Sequence, residues 1–448
     1  MRELYSWPWV EAQTARCSEL WNGCALGTLS PLPRFSIREQ RRREKAYDDG
    51  LRAVKREARR APRSRAEWLG TQERIVAIFP GFAATALGLG GAATELLTDS
   101  FLPIGTRLAR WARAFDPTIS MADTIQGCRN AWTCGGMQAL LGEPMELTHS
   151  TLAYSLLYPY SDNYLDQAGL GREDKLEFSE RFRRRLCGER IFAQNAREAA
   201  IWALVQLIEE QYPRATYPQV FDCLLAIHRA QQDSIGQLVR GGREELDAAD
   251  VLRITCAKGG TSVLADACLA RPWLTAEEIS FSFDWGVLLQ LGDDLQDVQE
   301  DLERGSATLF TLAARRGMEL DDLVRQLLHL SQVVADRMDP LPHGTATMKR
   351  LLRMSWRSLI LMAVANAHRF CSAAFMAELE ECSGFRFDFL RARNQKLDDR
   401  EGLFPRIFEA FLEAGDGGWG GVPECRESLV AGDVRLIGEV AALNNSFV

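Results

Sequence analysis

The sequence predicts an all-α protein, a bundle of helices around one interior cavity within one main domain. Two observations carry this expectation. From about residue 67 onward, proline is sparse within long segments of helical periodicity. No clear run of alternating β-branched residues appears. The chain has 448 residues, 46% of them hydrophobic and 25% charged, which is an ordinary globular composition able to bury a large core.

Taken in order, residues 1–37 hold Trp7, Trp9 and Trp21 among several prolines and read as an irregular arm lying on the body. Residues 38–65 carry 12 Arg or Lys against 5 Asp or Glu and keep helical spacing as far as Pro62. A solvated helix is the plain reading of such a run; contact with an acidic partner or an anionic membrane surface is the sharper one. Ile75 to Thr94 is uncharged for twenty residues, yet Pro80, Gly81, Gly88, Gly90 and Gly91 interrupt it. A buried helix pair with a glycine-rich joint is expected there rather than a membrane span. Helices are then expected over 104–114, 120–142, 147–168, 174–187, 191–212, 217–241, 248–269, 276–303, 308–316, 319–337, 346–382 and 386–413. The resulting division is a basic, irregular arm over 1–70, a helical domain over 71–413, and a glycine-rich loop and tail over 414–448. No internal repeat is evident.

The net charge of −8 argues mildly against a nucleic-acid partner. Eleven cysteines are scattered without paired spacing; Cys17 with Cys24, or Cys128 with Cys134, makes no zinc pattern. The five histidines are not at ligand spacing. The first residues lack a signal peptide's apolar core. Reduced thiols and a cytoplasmic location are expected.

The most informative stretch is 286–301. At about 100° per residue, Gly286, Gln290, Asp293, Asp294, Asp297, Glu300 and Asp301 fall within an arc of roughly 120°. Leucines and valines cover most of the remaining surface. Carboxylates gathered in an apolar setting raise one another's pKa, and desolvation opposes their ionisation. A hard divalent cation such as Mg²⁺, held by one or two carboxylates together with a substrate's phosphates, is the usual remedy. The plain alternative is a solvated acidic face, but such faces usually mix bases among the acids, and no basic residue lies between 286 and 303.

The spacing G-x-x-x-Q-x-x-D-D-x-x-D, met by Gly286, Gln290, Asp293, Asp294 and Asp297, resembles the second aspartate-rich motif of trans-prenyltransferases, members of the class I isoprenoid synthase superfamily. That resemblance covers roughly residues 120–315. It implies an isoprenoid synthase-type helical bundle whose two aspartate-bearing helices face each other across the cavity. Between them they would hold a Mg²⁺ cluster, about three ions per site. Asp162 and Asp166, four apart and so on one helix face, would form the first motif in the D-x-x-x-D form. Asn163 stands where an elongating enzyme often has a second aspartate. Read alone, Ser161-Asp162 could instead start a helix after Pro159.

Further matches are Gly236-Gln237, like a G-Q pair of that family, and Lys258-Gly259-Gly260-Thr261-Ser262, where the family has a K-T pair. The two glycines could kink the helix and expose Lys258 to a diphosphate; a simple helix break is the alternative. In Gly305-Ser306-Ala307-Thr308-Leu309, Ser306 replaces a family lysine, and Cys128 stands at another. Arg172, Arg304 and Arg129 complete the cations that would hold the diphosphate, with Gln290 orienting groups near the metals. Tyr154, Tyr158, Tyr160, Tyr164, Phe283 and Trp285 are candidates to line the apolar side, where aromatic faces can stabilise a cation.

The resemblance implies Mg²⁺-dependent ionisation of a small-molecule prenyl diphosphate. Loss of most of the basic cluster for a second diphosphate favours a terpene synthase, with a cyclase as its form. An all-trans prenyl diphosphate synthase or a squalene-synthase-like coupling enzyme is the alternative, and a non-enzymatic relative the third. A homodimer is expected by analogy only.

Overall fold

A computed structural model describes residues 5–24, 32–60, 64–165, 171–234 and 247–397. Among these residues all regular structure is helical. The expectation of an all-α chain therefore holds, and most helix bounds lie within two residues of those read from the sequence.

Three helices precede the main bundle: α1 (Trp7–Asn22), α2 (Ile37–Ala58) and α3 (Arg65–Phe82). Within the arm expected to be irregular over 1–37, Trp7–Asn22 is a helix. Val10, Thr14, Cys17 and Trp21 recur at helical spacing and are its buried residues. They pack on helices of the body, so the arm does lie on it as expected. Ser36 and Ser64 cap α2 and α3 by accepting from the amides of Glu39 and Glu67, both at 3.3 Å. The uncharged stretch forms the end of α3, a π turn at Ala83–Leu87, and α4 (Gly91–Leu96), joined through Gly88 at φ 71°. No described helix is long and apolar enough to cross a membrane.

After a second π turn (Leu97–Phe101) come α5 (Leu102–Phe115), α6 (Met121–Leu141), α7 (His149–Leu165), α8 (Arg172–Leu186), α9 (Ala196–Gln211) and α10 (Pro218–Ser234). The central pair is α11 (Ala248–Ala270) and α12 (Ala276–Gln296). Then follow α13 (Val298–Arg304), α14 (Leu309–Arg315), α15 (Asp321–Met338), α16 (Ala346–Asn366), a 3₁₀ turn (His368–Phe370), α17 (Ala373–Glu380) and α18 (Phe387–Leu397). Two helices expected to be continuous are divided. The 276–303 segment breaks at Asp297 (φ −95°, ψ 10°), and 346–382 breaks at the 3₁₀ turn. Residues 398–448, including the expected tail, lie outside the described residues.

Pro159 sits inside α7, so Ser161 does not start a helix; its hydroxyl donates to the Leu157 carbonyl at 2.8 Å. Nor do Gly259 and Gly260 break or kink α11, which runs through both. Their role is close approach. A Cβ on Gly259 would lie 2.5 Å from the Gly286 carbonyl oxygen; one on Gly286 would overlap Gly259, and one on Gly260 would overlap the Phe283 ring. Three glycines on two helices therefore let α11 and α12 touch backbone to backbone, which sets the position of everything on their facing sides.

Around this pair pack α1, α6, α7, α10, α14, α15 and α16. The carboxylate of Asp284, fully buried on α12, ties three elements together. Arg16 of α1 donates to it at 2.6 Å, Arg337 of α15 also pairs with it, and the Cys17 thiol donates at 3.2 Å.

Candidate functional site

The direction of the helices decides where the acids go. Ser150, near the start of α7, donates to the Leu269 carbonyl at 3.4 Å, and Tyr154 donates to the Ser262 carbonyl at 3.1 Å. Rising numbers on α7 thus meet falling numbers on α11. Likewise Gly259 opposes Gly286, while Thr255 donates to Asp294 at 3.1 Å. Both α7 and α12 run antiparallel to α11, so both head toward the same end of the bundle. The last turn of α7 carries Asp162; the last turn of α12 carries Asp293 and Asp294. The side chain of Asp162 and the whole of Asp166 lie outside the described residues, as do the side chains of Tyr158 and Arg172, and Gly236-Gln237.

On the α12 side the acids divide by environment. Asp294 is 7% exposed and turned inward. It accepts from Gln290 Nε2 at 2.9 Å and from Thr255 Oγ1 at 3.1 Å. Burial pushes its carboxyl up to about 7, against the opposing pull of the Gln290 bond, the Lys258 ammonium and the Thr255 bond. Gln290 thus orients an acid of the motif. Sequence reasoning missed Thr255; the available signal was its place three residues before Lys258, on the same helix face.

Asp293 and Asp297 are open to solvent. Even so, surrounding protein displaces enough water to push Asp293 up to about 6, and repulsion from Asp297 adds to this; Arg129 and Lys258 oppose it. Asp297 is also raised, first by burial and then by Glu300, against the Gln296 bond, Arg129 and Arg304. Asp301, next in the row, is raised by burial and by Asp297.

The cations are unequal. Arg129, on α6, and Lys258, on α11, both exert their field on Asp293, and neither forms an ion pair within 4 Å with a described residue. Arg304 is exposed and paired with Glu300 at 2.5 Å. Cys128 is buried and donates to the Gly105 carbonyl at 3.5 Å, so this position offers the acids nothing. Ser306 presents its carbonyl to Thr311 at 2.9 Å, and Thr308 caps α14.

Several aromatic candidates are core. Phe283 packs on Gly260 and Trp9, and Trp285 on Gly136 and Trp356. Tyr160 donates to Asp116 at 2.6 Å, and the Tyr164 ring lies on Phe178. Tyr154 lines a cavity of about 30 Å³, shared with Leu157, Phe182, Leu224, Ile227 and His228. That volume holds a water or so and cannot take a prenyl chain.

Among the described residues no three His, Cys, Asp or Glu side chains converge on one point. The donors present are nonetheless of the right kind for a hard cation. Asp293 and Asp297 offer oxygen only and reach solvent. No protein-family model, no curated protein and no solved structure matches this chain.

Proposed function

We propose that the protein is a Mg²⁺-dependent class I terpene synthase, built on an isoprenoid synthase-type bundle, that ionises an allylic prenyl diphosphate, most simply as a cyclase. The single observation that carries this reading is the pair of exposed acids Asp293 and Asp297 at the end of α12, with Arg129 near both and Lys258 near Asp293. Acids alone would attract only a cation, and bases alone only an anion. Both signs in one place suit a metal diphosphate, which presents both.

Asp293 and Asp297 would hold metal from the α12 wall, and Asp162 and Asp166 from the α7 wall. Bound Mg²⁺ would supply charge neutralisation of the departing diphosphate. Lys258 and Arg129 would bind the diphosphate oxygens as point and forked donors. Asp294, locked by Gln290 and Thr255, would hold the end of α12 in register so that its neighbours face the metal. Ionisation breaks the allylic C–O bond, and the electron pair leaves with the diphosphate. The apolar helix faces exclude water from the cation that remains.

The seat of Cys128 supports a synthase over an elongating enzyme, since a buried thiol stands where a second diphosphate would need a lysine. The deciding experiment incubates the protein and Mg²⁺ with C10 to C25 prenyl diphosphates, with and without isopentenyl diphosphate. An apolar product formed without isopentenyl diphosphate supports the proposal. A longer diphosphate formed only with it would assign the protein to chain elongation.

A further inference from the structure

The basic run of α2 is sorted by the fold. Three of its five acids turn inward: Glu44 pairs with Arg386 at 2.6 Å, Asp48 with Arg393 at 2.6 Å, and buried Glu57 with Arg74 at 2.8 Å as well as with Arg60 at 3.0 Å. Its bases turn outward. Arg38, Arg41, Arg42 and Lys45 in the first half, with Arg52 and Arg56 in the second, are all exposed. At about 100° per residue these six fall within an arc of about 100°, and Arg59 and Arg60 extend the row. Asp49 is the one acid among the exposed residues of α2, and it is already shared between Lys45 and Arg52. The result is a straight positive stripe about 27 Å long on a chain of net charge −8.

A helix face that is merely solvated intersperses both signs evenly; here eight exposed bases stand against one exposed acid, so a positive excess remains even though Glu39, Asp49 and Glu57 also pair with bases of the same run. The neighbouring hairpin adds a second feature. Beside α2, and antiparallel to it through Glu57–Arg74 and Gly50–Phe82, the uncharged end of α3 leaves Ala77, Pro80, Gly81 and Ala84 exposed. A charged rail next to an uncharged shelf fits a planar surface with an anionic face and an apolar interior. A nucleic acid would instead call for stacking aromatics or a groove, and the exposed stripe carries no aromatic.

We propose that the outer face of α2 docks the protein on an anionic phospholipid surface, independently of the reaction it catalyses. Clusters of Lys and Arg on a helix bind such surfaces with a free energy of about 1 kcal/mol per residue, screened by salt. The test is co-sedimentation of the full chain with phosphatidylcholine vesicles, with and without about 30 mol% phosphatidylserine. The expected result is pelleting with the anionic vesicles only, abolished by high salt. Arg38, Arg41 and Arg59 have no ion-pair partner among the described residues, so the triple variant Arg38→Gln/Arg41→Gln/Arg59→Gln should fold normally and bind about a hundredfold more weakly. Equal pelleting on neutral vesicles, no pelleting on either, or unchanged binding by the triple variant each overturns the proposal. Two of those results would have named successors. Retention of single-stranded RNA without vesicle binding would assign the stripe to a polynucleotide. Residues 398–448 hold 10 Asp or Glu and 4 Arg; a carbodiimide cross-link from Lys45 into that segment, without vesicle binding, would assign the stripe to the chain's own acidic end.

Discussion

Asp284 and Asp294 lie on one helix, α12, and both are buried, yet they are provided for in opposite ways. Asp284 meets two guanidinium groups and a thiol donor. Asp294 meets an amide and a hydroxyl, with the Lys258 charge contributing at longer range. The first arrangement closes its charge within the protein and joins α1 and α15 to the core. The second leaves the acid with no cation in contact, beside two further acids open to solvent. A buried acid with its own arginines is a fastening. A group of acids short of cations is what the proposed metal site requires.

The largest expected effect breaks the fastening. Asp284→Ala strands two arginines in a site built for their partner, which costs about 3–5 kcal/mol. Thermal and urea melts should fall accordingly, and limited proteolysis should release the α1 segment first. An unchanged melt would mean that α1 does not depend on this contact. The other half of the comparison is broken by Asp297→Asn or Asp293→Asn. Each keeps its shape, so helical circular dichroism and the melt should be unchanged, while turnover falls by about a thousandfold, or about 4 kcal/mol. Retained activity would remove these acids from the metal role.

Much of this comparison was visible in the sequence, and the parts that were not share a cause. Helix positions follow from periodicity, which is local, so α6, α11 and α15 fall where they were expected. The row of acids with no base among them is local as well. The fastening at Asp284 is not, because its partners Arg16 and Arg337 lie far away on other helices and nothing in their spacing announces them. Gly259 and Gly260 mislead for the same reason. On one helix a glycine pair reads as weakness; only beside Gly286 of the next helix does it become a contact. α1 was hidden by its tryptophans and prolines, although Pro8 sits within its first turn, where proline is tolerated.

The pH dependence of stability sharpens the contrast by about 4 kcal/mol. Folded Asp294 keeps its proton to about pH 7, while the unfolded chain releases it near the ordinary value of 3.8. Between those values the native state binds more protons, so without Mg²⁺ this group's contribution to stability falls as pH rises. Asp294→Asn removes that slope. The difference in unfolding free energy between variant and parent, by urea titration from pH 4 to 8, should grow steadily in the variant's favour. Taking the difference matters because buried His228, lowered to about 4 from 6.5, contributes a slope of the opposite sign over part of the same range. A flat difference would mean that Asp294 is ionised throughout and that its two neutral donors suffice.

The smallest effect is expected at Lys258, and it tests whether the end of α12 is a site for a pair of ions or for one. If the acids only gather a divalent cation, Lys258 opposes that binding, and Lys258→Ala should tighten Mg²⁺ while leaving inorganic diphosphate unaffected. If metal and diphosphate bind together, the lysine faces the anion and its removal should weaken diphosphate by about tenfold, or about 1.4 kcal/mol, in the presence of Mg²⁺. Calorimetric titration of each ligand alone and of both together separates the two cases. Arg129, the second cation facing Asp293, provides the control, since Arg129→Ala should repeat the pattern from the α6 side. A tighter Mg²⁺ site with unchanged diphosphate in both variants would make this a simple cation site and would remove the main support for the proposed chemistry.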